Sequence, residues 1–356
     1  MQRVFKTILI LLITIFSLPV FAQDSFQSEY LSGVITDTTT NENGLTLYTT
    51  QLSNGLLVDI DSYGESLSVG NKIYIEYFKD LNSYNFMTVN RNTPLVLLTV
   101  LFILSIILLA GKKGIRSLGS LAVSITILFF VLVPLLVNGF NPIIVTLFFG
   151  LCVLFLSIFI THGFNYQSLV SFIGSFGSIL LALLLIWMVT QYSSLTGLIS
   201  DEIQFLSLES ERVLNLVRIV SASIVIGIIG VLDDITITQV AVVRELSSDT
   251  TLRREDIFTK ALRVGRDHIS SLVNTLVFAY VGATLPMIMF ISLLDIPFFV
   301  LLSQEFIFIE IIRSLVGAIS LTLAVPLTTW LATYVFKNAI SSDTKKLESA
   351  CAHHNH

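Results

Sequence analysis

The chain has 356 residues, 54% of them hydrophobic and only 13% charged, with a mean hydropathy of +0.84 and a formal net charge of −5. About a quarter of the residues of a soluble globular chain are charged, so this balance excludes an ordinary soluble domain and points to a polytopic membrane protein. The mild acidity gives no footing for nucleic-acid binding. The two cysteines, Cys152 in an apolar run and Cys351 in the tail, offer no disulfide framework to an extracytoplasmic part.

Residues 1–22 read as a signal sequence or an uncleaved anchor. Arg3 and Lys6 form a basic start, Ile8 to Phe16 an apolar core, Pro19 a helix break, and Ala22 a small residue at the cut. Either form puts the following residues outside the cytoplasm. Residues 23–93 then alternate short runs rich in Val, Ile, Tyr and Thr with turn residues. The expected strands are Tyr30–Thr36, Leu45–Thr50, Leu56–Asp61, Lys72–Phe78 and Phe86–Val89. Asn43-Gly44 and Asn54-Gly55 are hairpin signals, because both residue types tolerate positive φ. About five strands in so short a stretch suggest a small β-barrel-like domain of the SH3 or OB type.

From Pro94 onward the chain reads as membrane helices. About 20 apolar residues cross the hydrocarbon layer, and seven stretches qualify: 94–110, 118–137, 141–160, 168–190, 213–232, 271–292 and 308–335. The segments 111–117 and 233–270 read as cytoplasmic loops. They carry Lys112, Lys113 and Arg116, and then Arg244, Arg253, Arg254, Lys260, Arg263 and Arg266. The opposite connections hold Arg212 as their one basic residue. Basic residues concentrate on the cytoplasmic side of membrane proteins, so this count agrees with the signal sequence. The resulting expectation is a multi-pass protein of a bacterial plasma (inner) membrane, its N-terminal domain extracytoplasmic and its C-terminus cytoplasmic. Leu293–Ile309 reads as a re-entrant segment or a loop. The tail, 337–356, ends in His353-His354-Asn355-His356 and reads as disordered.

The chemistry-bearing residues gather around Gly227-Ile-Ile-Gly230-Val-Leu-Asp233-Asp234-Ile-Thr236-Ile-Thr238-Gln239. Residues at i, i+4, i+7 and i+11 share a helix face. Ser223, Gly227, Gly230 and Asp234 have that spacing, and Thr238 continues it. Small faces let membrane helices approach closely, and Ser171, Gly174, Ser175 and Ser178 offer a matching face on the fourth span. On the sixth, Asp267, Ser271 and Asn274 form a polar stripe beside His268. A cluster of Asp233, Asp234, Thr236, Thr238, Gln239, Arg266, Asp267, His268 and Asn274 at the cytoplasmic ends of spans five and six would suit a cation or proton, which need carboxylate and neutral oxygen ligands. In the other reading, the Asp pair merely stops the helix at the interface and meets loop Arg or Lys. Arg218 either snorkels to the outer headgroups or pairs with Glu310, to which Arg313 is also close in sequence.

Enzyme templates fit poorly: HExxH, CxxC and a GxSxG elbow are all absent. The strings Gly-Val-Leu-Asp-Asp-Ile-Thr-Ile-Thr-Gln (230–239), Ala-Leu-Arg-Val-Gly-Arg-Asp-His-Ile (261–269) and Asn-Thr-Leu-Val-Phe-Ala-Tyr-Val-Gly-Ala-Thr-Leu-Pro (274–286) resemble the YibE/F family of bacterial multi-spanning membrane proteins. That resemblance covers about residues 30–335 and implies placement in a membrane without supplying chemistry. The expectation is therefore an α-helical polytopic membrane protein of about seven transmembrane helices with a permease-like role toward a small solute or ion. No cofactor is expected and any metal is unknown. Its partners are the bilayer and, where the site needs completing, a second copy or a second membrane subunit. Two further readings stay open: an assembly or sensory component that binds a partner through its outer β domain, and a metal-dependent membrane enzyme using Asp233, Asp234, Asp267 and His268.

Overall fold

A computed structural model describes residues 28–40, 46–61, 66–79, 81–209, 214–294 and 296–353, with side chains followed to Lys337. The signal or anchor segment, Asn43-Gly44, Arg212, Asp295 and the final histidines fall outside the described residues or side chains. The chain forms two compact units, one from the N-terminal part up to Gly111 and one built on residues from Lys112 onward.

In the first unit five strands, β1 (Ser28–Thr40), β2 (Thr46–Leu52), β3 (Leu57–Asp61), β4 (Lys72–Phe78) and β5 (Ser83–Val89), form one antiparallel sheet in the order β3-β2-β1-β4-β5. The long β1 serves both neighbours, with an irregularity between Ile35 and Asp37 in its pairing with β2. Edge strands β3 and β5 touch, so the sheet curls around Ile35, Tyr48, Leu52, Ile60, Ile73 and Ile75. Ile73 and Ile75 are two apart and so point to the same, inner face. The Asn54-Gly55 turn forms as expected: Gly55 takes φ +85°, and Asn54 Oδ1 accepts from the Leu56 amide at 3.0 Å.

The helices are α1 (Asn92–Ile127), continued by a π-helical turn (Leu128–Leu132) into α2 (Val133–Val137), then α3 (Pro142–His162), α4 (Tyr166–Tyr192), α5 (Asp201–Glu209), α6 (Leu216–Ser247), α7 (Arg254–Ser292), α8 (Phe298–Leu301) and α9 (Glu305–His353). Among the described residues, six helical runs are long and apolar enough to cross a membrane. The expected first two spans are one run, 92–137, broken at Gly111, whose φ 54° and ψ −132° lie outside helical space. The expected loop 111–117 thus shrinks to a single non-helical residue. Segment 233–270, expected as a loop, is helical apart from residues 248–253. The described residues between Leu293 and Gln304 form turns, extended backbone and the short α8, and Glu305–Ile309 opens α9.

Asparagine starts three of these helices. Asn141, Asn165 and Asn215 each turn a side-chain oxygen onto a first-turn amide, of Ile143, Ser168 and Arg218 respectively, satisfying donors that a helix N-terminus leaves free. In the second unit α9 packs on α4, α6 and α7, while α6 also packs on α3 and α4. Leu154, Ile179, Ile228, Leu232 and Val325 are core residues of this bundle. One close approach runs through Gly174 on α4: a Cβ there would lie 2.5 Å from Thr328 Oγ1 on α9. Helix α7 is held more thinly, with 11% of its most apolar window buried against 44% for α4 and for α6.

Candidate functional site

Helix α6 does not end at the acid pair. It runs 32 residues to Ser247, so Asp233 and Asp234 stand in its middle, with about 20 Å of helix beyond them. The apolar spacing explains why: Leu232, Ile235, Val240 and Val243 are buried and continue the face that Ile228 begins. Adjacent helical residues point about 100° apart, so the two carboxylates separate. Asp233 turns into the bundle toward α3, where the Ser157 hydroxyl donates to its Oδ2. His162, the last residue of α3, lies within electrostatic reach of the same carboxylate. Asp234 is exposed on the outer side of α6.

The expected cluster therefore resolves into separate environments. Thr236 is buried, and its hydroxyl pairs with Ser175 of α4 at 2.7 Å. Gln239 is buried too; its amide donates to the Ala261 carbonyl of α7 at 2.9 Å and to Thr329 Oγ1 of α9 at 2.7 Å. The Thr329 hydroxyl in turn donates to the Val325 carbonyl at 2.6 Å. Gly265 lets α7 come this near, since a Cβ there would meet Val325 at 2.5 Å and Gln239 Oε1 at 2.9 Å. Thr238, Asp267, His268 and Ser271 do come together, with Gln239, around an open cavity of about 360 Å³ between α6 and α7. His268 Nε2 is buried there without a hydrogen-bond partner among the described residues. Arg266 and Asn274 are exposed and do not line that cavity.

The small face of α6 does not meet the serine stripe of α4; at Gly227 and Ser223 it faces side chains of α7 and α9 instead. Ser223, Gly227, Gly230, Asp234 and Thr238 are all exposed, and a Cβ at Gly230 would meet nothing within 4 Å. The serine stripe of α4 meets α6 at Thr236 instead, and its Gly174 meets α9.

Toward the other end of the bundle, Arg313 Nη1 donates to Glu310 Oε1 at 2.7 Å within α9, and Nη2 to Ser223 Oγ of α6 at 3.2 Å. Its guanidinium lies 5.9 Å from the Tyr280 ring centroid. The Tyr280 hydroxyl sits over Gly227, where it occupies the space a Cβ would take. Arg218 stands exposed in the first turn of α6, and its alternative pairing with Glu310 does not form. Glu305 is engaged elsewhere: its carboxylate accepts from the Thr196 amide and hydroxyl and from the Gly197 amide, fixing the loop after α4 to the start of α9.

Sequence reasoning missed Ser157, His162 and Tyr280. Each lies on a different helix from the residue it serves, and no local spacing links them. Among the described residues, no three His, Cys, Asp or Glu side chains stand close enough together to hold a metal ion. Asp233, Asp234, Asp267 and His268 are thus not assembled as the metal-enzyme reading required.

No curated protein and no solved structure matches the chain. The family model for YibE/F-like proteins matches residues 98–338, about two thirds of the chain, and leaves the five β-strands outside the match. The chain belongs to the YibE/F-like protein family.

Proposed function

We propose that the chain is an ion-coupled, permease-like membrane protein in which Asp233 carries the proton or cation. One observation supports this above the others: a carboxylate in the middle of an apolar helix turns inward and is held by a hydroxyl from a neighbouring helix. Ionisable groups inside membrane segments are costly, and those that persist there mark ion or proton pathways by default.

Helix register supports the depth. On α9, Glu310 and Trp330 are 20 residues apart, about 30 Å, which matches one hydrocarbon layer. Arg313 meets Ser223 of α6 near one limit, and Thr329 meets Gln239 near the other. Asp233 then lies about 15 Å from the Ser223 level and about 9 Å from the Gln239 level, inside the layer and not at its edge. In this reading His162, with Lys113 nearby, links Asp233 to the basic end of the bundle. Lys112, Lys113, Arg116, Arg253, Arg254 and Lys337 favour a cytoplasmic assignment for that end, with the curled sheet, taken as a barrel-like domain, on the other side.

The test is flux in liposomes containing the full chain, read by entrapped proton- and sodium-sensitive dyes under an imposed membrane potential. Wild type should exceed empty liposomes. Asp233→Asn should abolish the excess without lowering folded yield, and Ser157→Ala should reduce it. An undiminished rate in Asp233→Asn, or no wild-type excess, would remove the proposal and favour a partner-binding membrane component.

A further inference from the structure

A second cavity, of about 350 Å³, opens where the start of α7 meets the end of α9. It is lined by Arg254, Glu255 and Phe258 on one helix and by Trp330, Thr333 and Tyr334 on the other, with Thr259 beside them. The Arg254 guanidinium lies 5.0 Å from the Tyr334 ring centroid, and Trp330 stacks on Tyr334 at 6.4 Å. Both rings are outward-facing, 61% and 52% exposed, so the cavity opens to the surroundings of the bundle. The position is the end of the bundle: just below, Lys337 Nζ donates to the Leu252 carbonyl in the turn between α6 and α7. Trp and Tyr gather at the headgroup level of a bilayer, and nothing in the ion pathway uses these residues.

We infer that this cavity is a binding site for a phospholipid whose headgroup carries both a phosphate and a primary ammonium. The charge pattern selects that chemistry. Adjacent residues of opposite sign, Arg254 and Glu255, line the same opening, so a phosphate on the guanidinium brings an ammonium within reach of the carboxylate. The two hydroxyls are already donating, Thr259 to the Glu255 carbonyl and Thr333 to the Thr329 carbonyl, and they face the headgroup as acceptors. An ammonium supplies donors to match them; a glycerol headgroup adds no positive charge for Glu255, and a trimethylated amine adds no N–H donors. Phe258 and Trp330 give the first methylenes of the acyl chains an apolar wall.

The full-length protein, purified in detergent, is given an equimolar mixture of phosphatidylethanolamine, phosphatidylglycerol and phosphatidylcholine of matched chains, and retained lipid is counted by native mass spectrometry. Wild type should retain phosphatidylethanolamine about tenfold over either competitor, the factor expected of the one charge-assisted contact, ammonium to Glu255, that the competitors lack. Glu255→Gln should erase the preference over phosphatidylglycerol. Arg254→Gln should lower retention of all three lipids, and Trp330→Leu should lower it about threefold without changing the preference. Arg254, Glu255 and Trp330 are exposed, and circular dichroism of each variant checks that it keeps the wild-type helix content. Equal retention of the three lipids by wild type would overturn the inference. So would a dimer mass that Trp330→Glu abolishes, which would assign the face to a second copy of the chain. Neither result bears on dye flux through Asp233, so the two proposals fail separately.

Discussion

Gly174→Ala is a sharp perturbation of the bundle. The added methyl would lie 2.5 Å from Thr328 Oγ1 and 3.2 Å from both Cβ and Cγ2 of the same side chain. Ordinary contact begins near 3.4 Å, so about 0.9 Å of relief is needed at the oxygen. Thr328 is fully buried and β-branched, with no long flexible end to swing aside, and the helices themselves must part. Overpacking of this kind costs about 1–3 kcal/mol. Thr328→Ala removes both Oγ1 and Cγ2, leaving only the 3.2 Å contact, and it also removes a hydroxyl that has no hydrogen-bond partner among the described residues. The double variant Gly174→Ala/Thr328→Ala should therefore be more stable than the sum of the single effects, by about 1–2 kcal/mol. Unfolding in mixed micelles, followed by tryptophan fluorescence over a detergent titration, gives the four corners of the cycle. Strict additivity, or a neutral Gly174→Ala, would refute the close approach of α4 to α9.

Three other outcomes are expected. Glu310→Gln should lower bundle stability by about 1–3 kcal/mol, because Arg313 loses its partner while keeping only Ser223 and the Tyr280 ring, and the double variant Glu310→Gln/Arg313→Gln should recover at least half of that loss in the same titration. Gln239→Leu should cost about 0.5–2 kcal/mol for its two interhelical hydrogen bonds; an unchanged midpoint would mean that the amide is not what ties α6 to α7 and α9. In the turn after α6, Thr251 donates from its hydroxyl and its amide to Asp249, which holds that carboxyl below the usual aspartate range. The turn's pH-dependent contribution is therefore complete above the unfolded carboxyl pKa and disappears as pH falls through the lower folded one. A carbon-13 titration of Asp249 should show a depressed midpoint that rises in Thr251→Val, and an equal midpoint in both proteins would contradict the contact.

Much of this architecture was legible in the residues themselves. Short runs rich in Val, Ile, Tyr and Thr, such as Lys72–Phe78, and the Asn54-Gly55 signal marked the sheet, and uninterrupted apolar runs marked the membrane-length helices. The acid pair misled for a physical reason. Asp-Asp followed by Ile-Thr-Ile-Thr-Gln reads as a helix meeting water, yet Ile235, Val240 and Val243 keep the buried face going, and tertiary packing outweighs the local polarity. The candidate cluster was only partly readable. Spacing put Thr238, Asp267 and His268 on facing stripes, and they do share a cavity. Spacing along α6 could not say which way each acid would face relative to α3. That depends on how α6 is rotated in the bundle, so Ser157 had no signature near Asp233.

The ties between helices are unevenly distributed, and this divides the second unit mechanically. Glu305 binds the loop after α4 to the beginning of α9, Ser175 and Thr236 join α4 to α6, and Gly174 presses α4 on α9. These three helices form a frame that resists sliding, because any shift must break buried polar contacts or open the glycine crossing. Helix α7 packs along α9 but meets α6 more sparsely, near Gly265 against Gln239 and near Tyr280 over Gly227, with an open cavity beside the first. Any motion of the second unit that keeps these ties leaves α4, α6 and α9 in place and turns α7 along its seam with α9, away from α6. Paired spin labels across α4 and α9 should keep one narrow distance, while a label on α7 should broaden it.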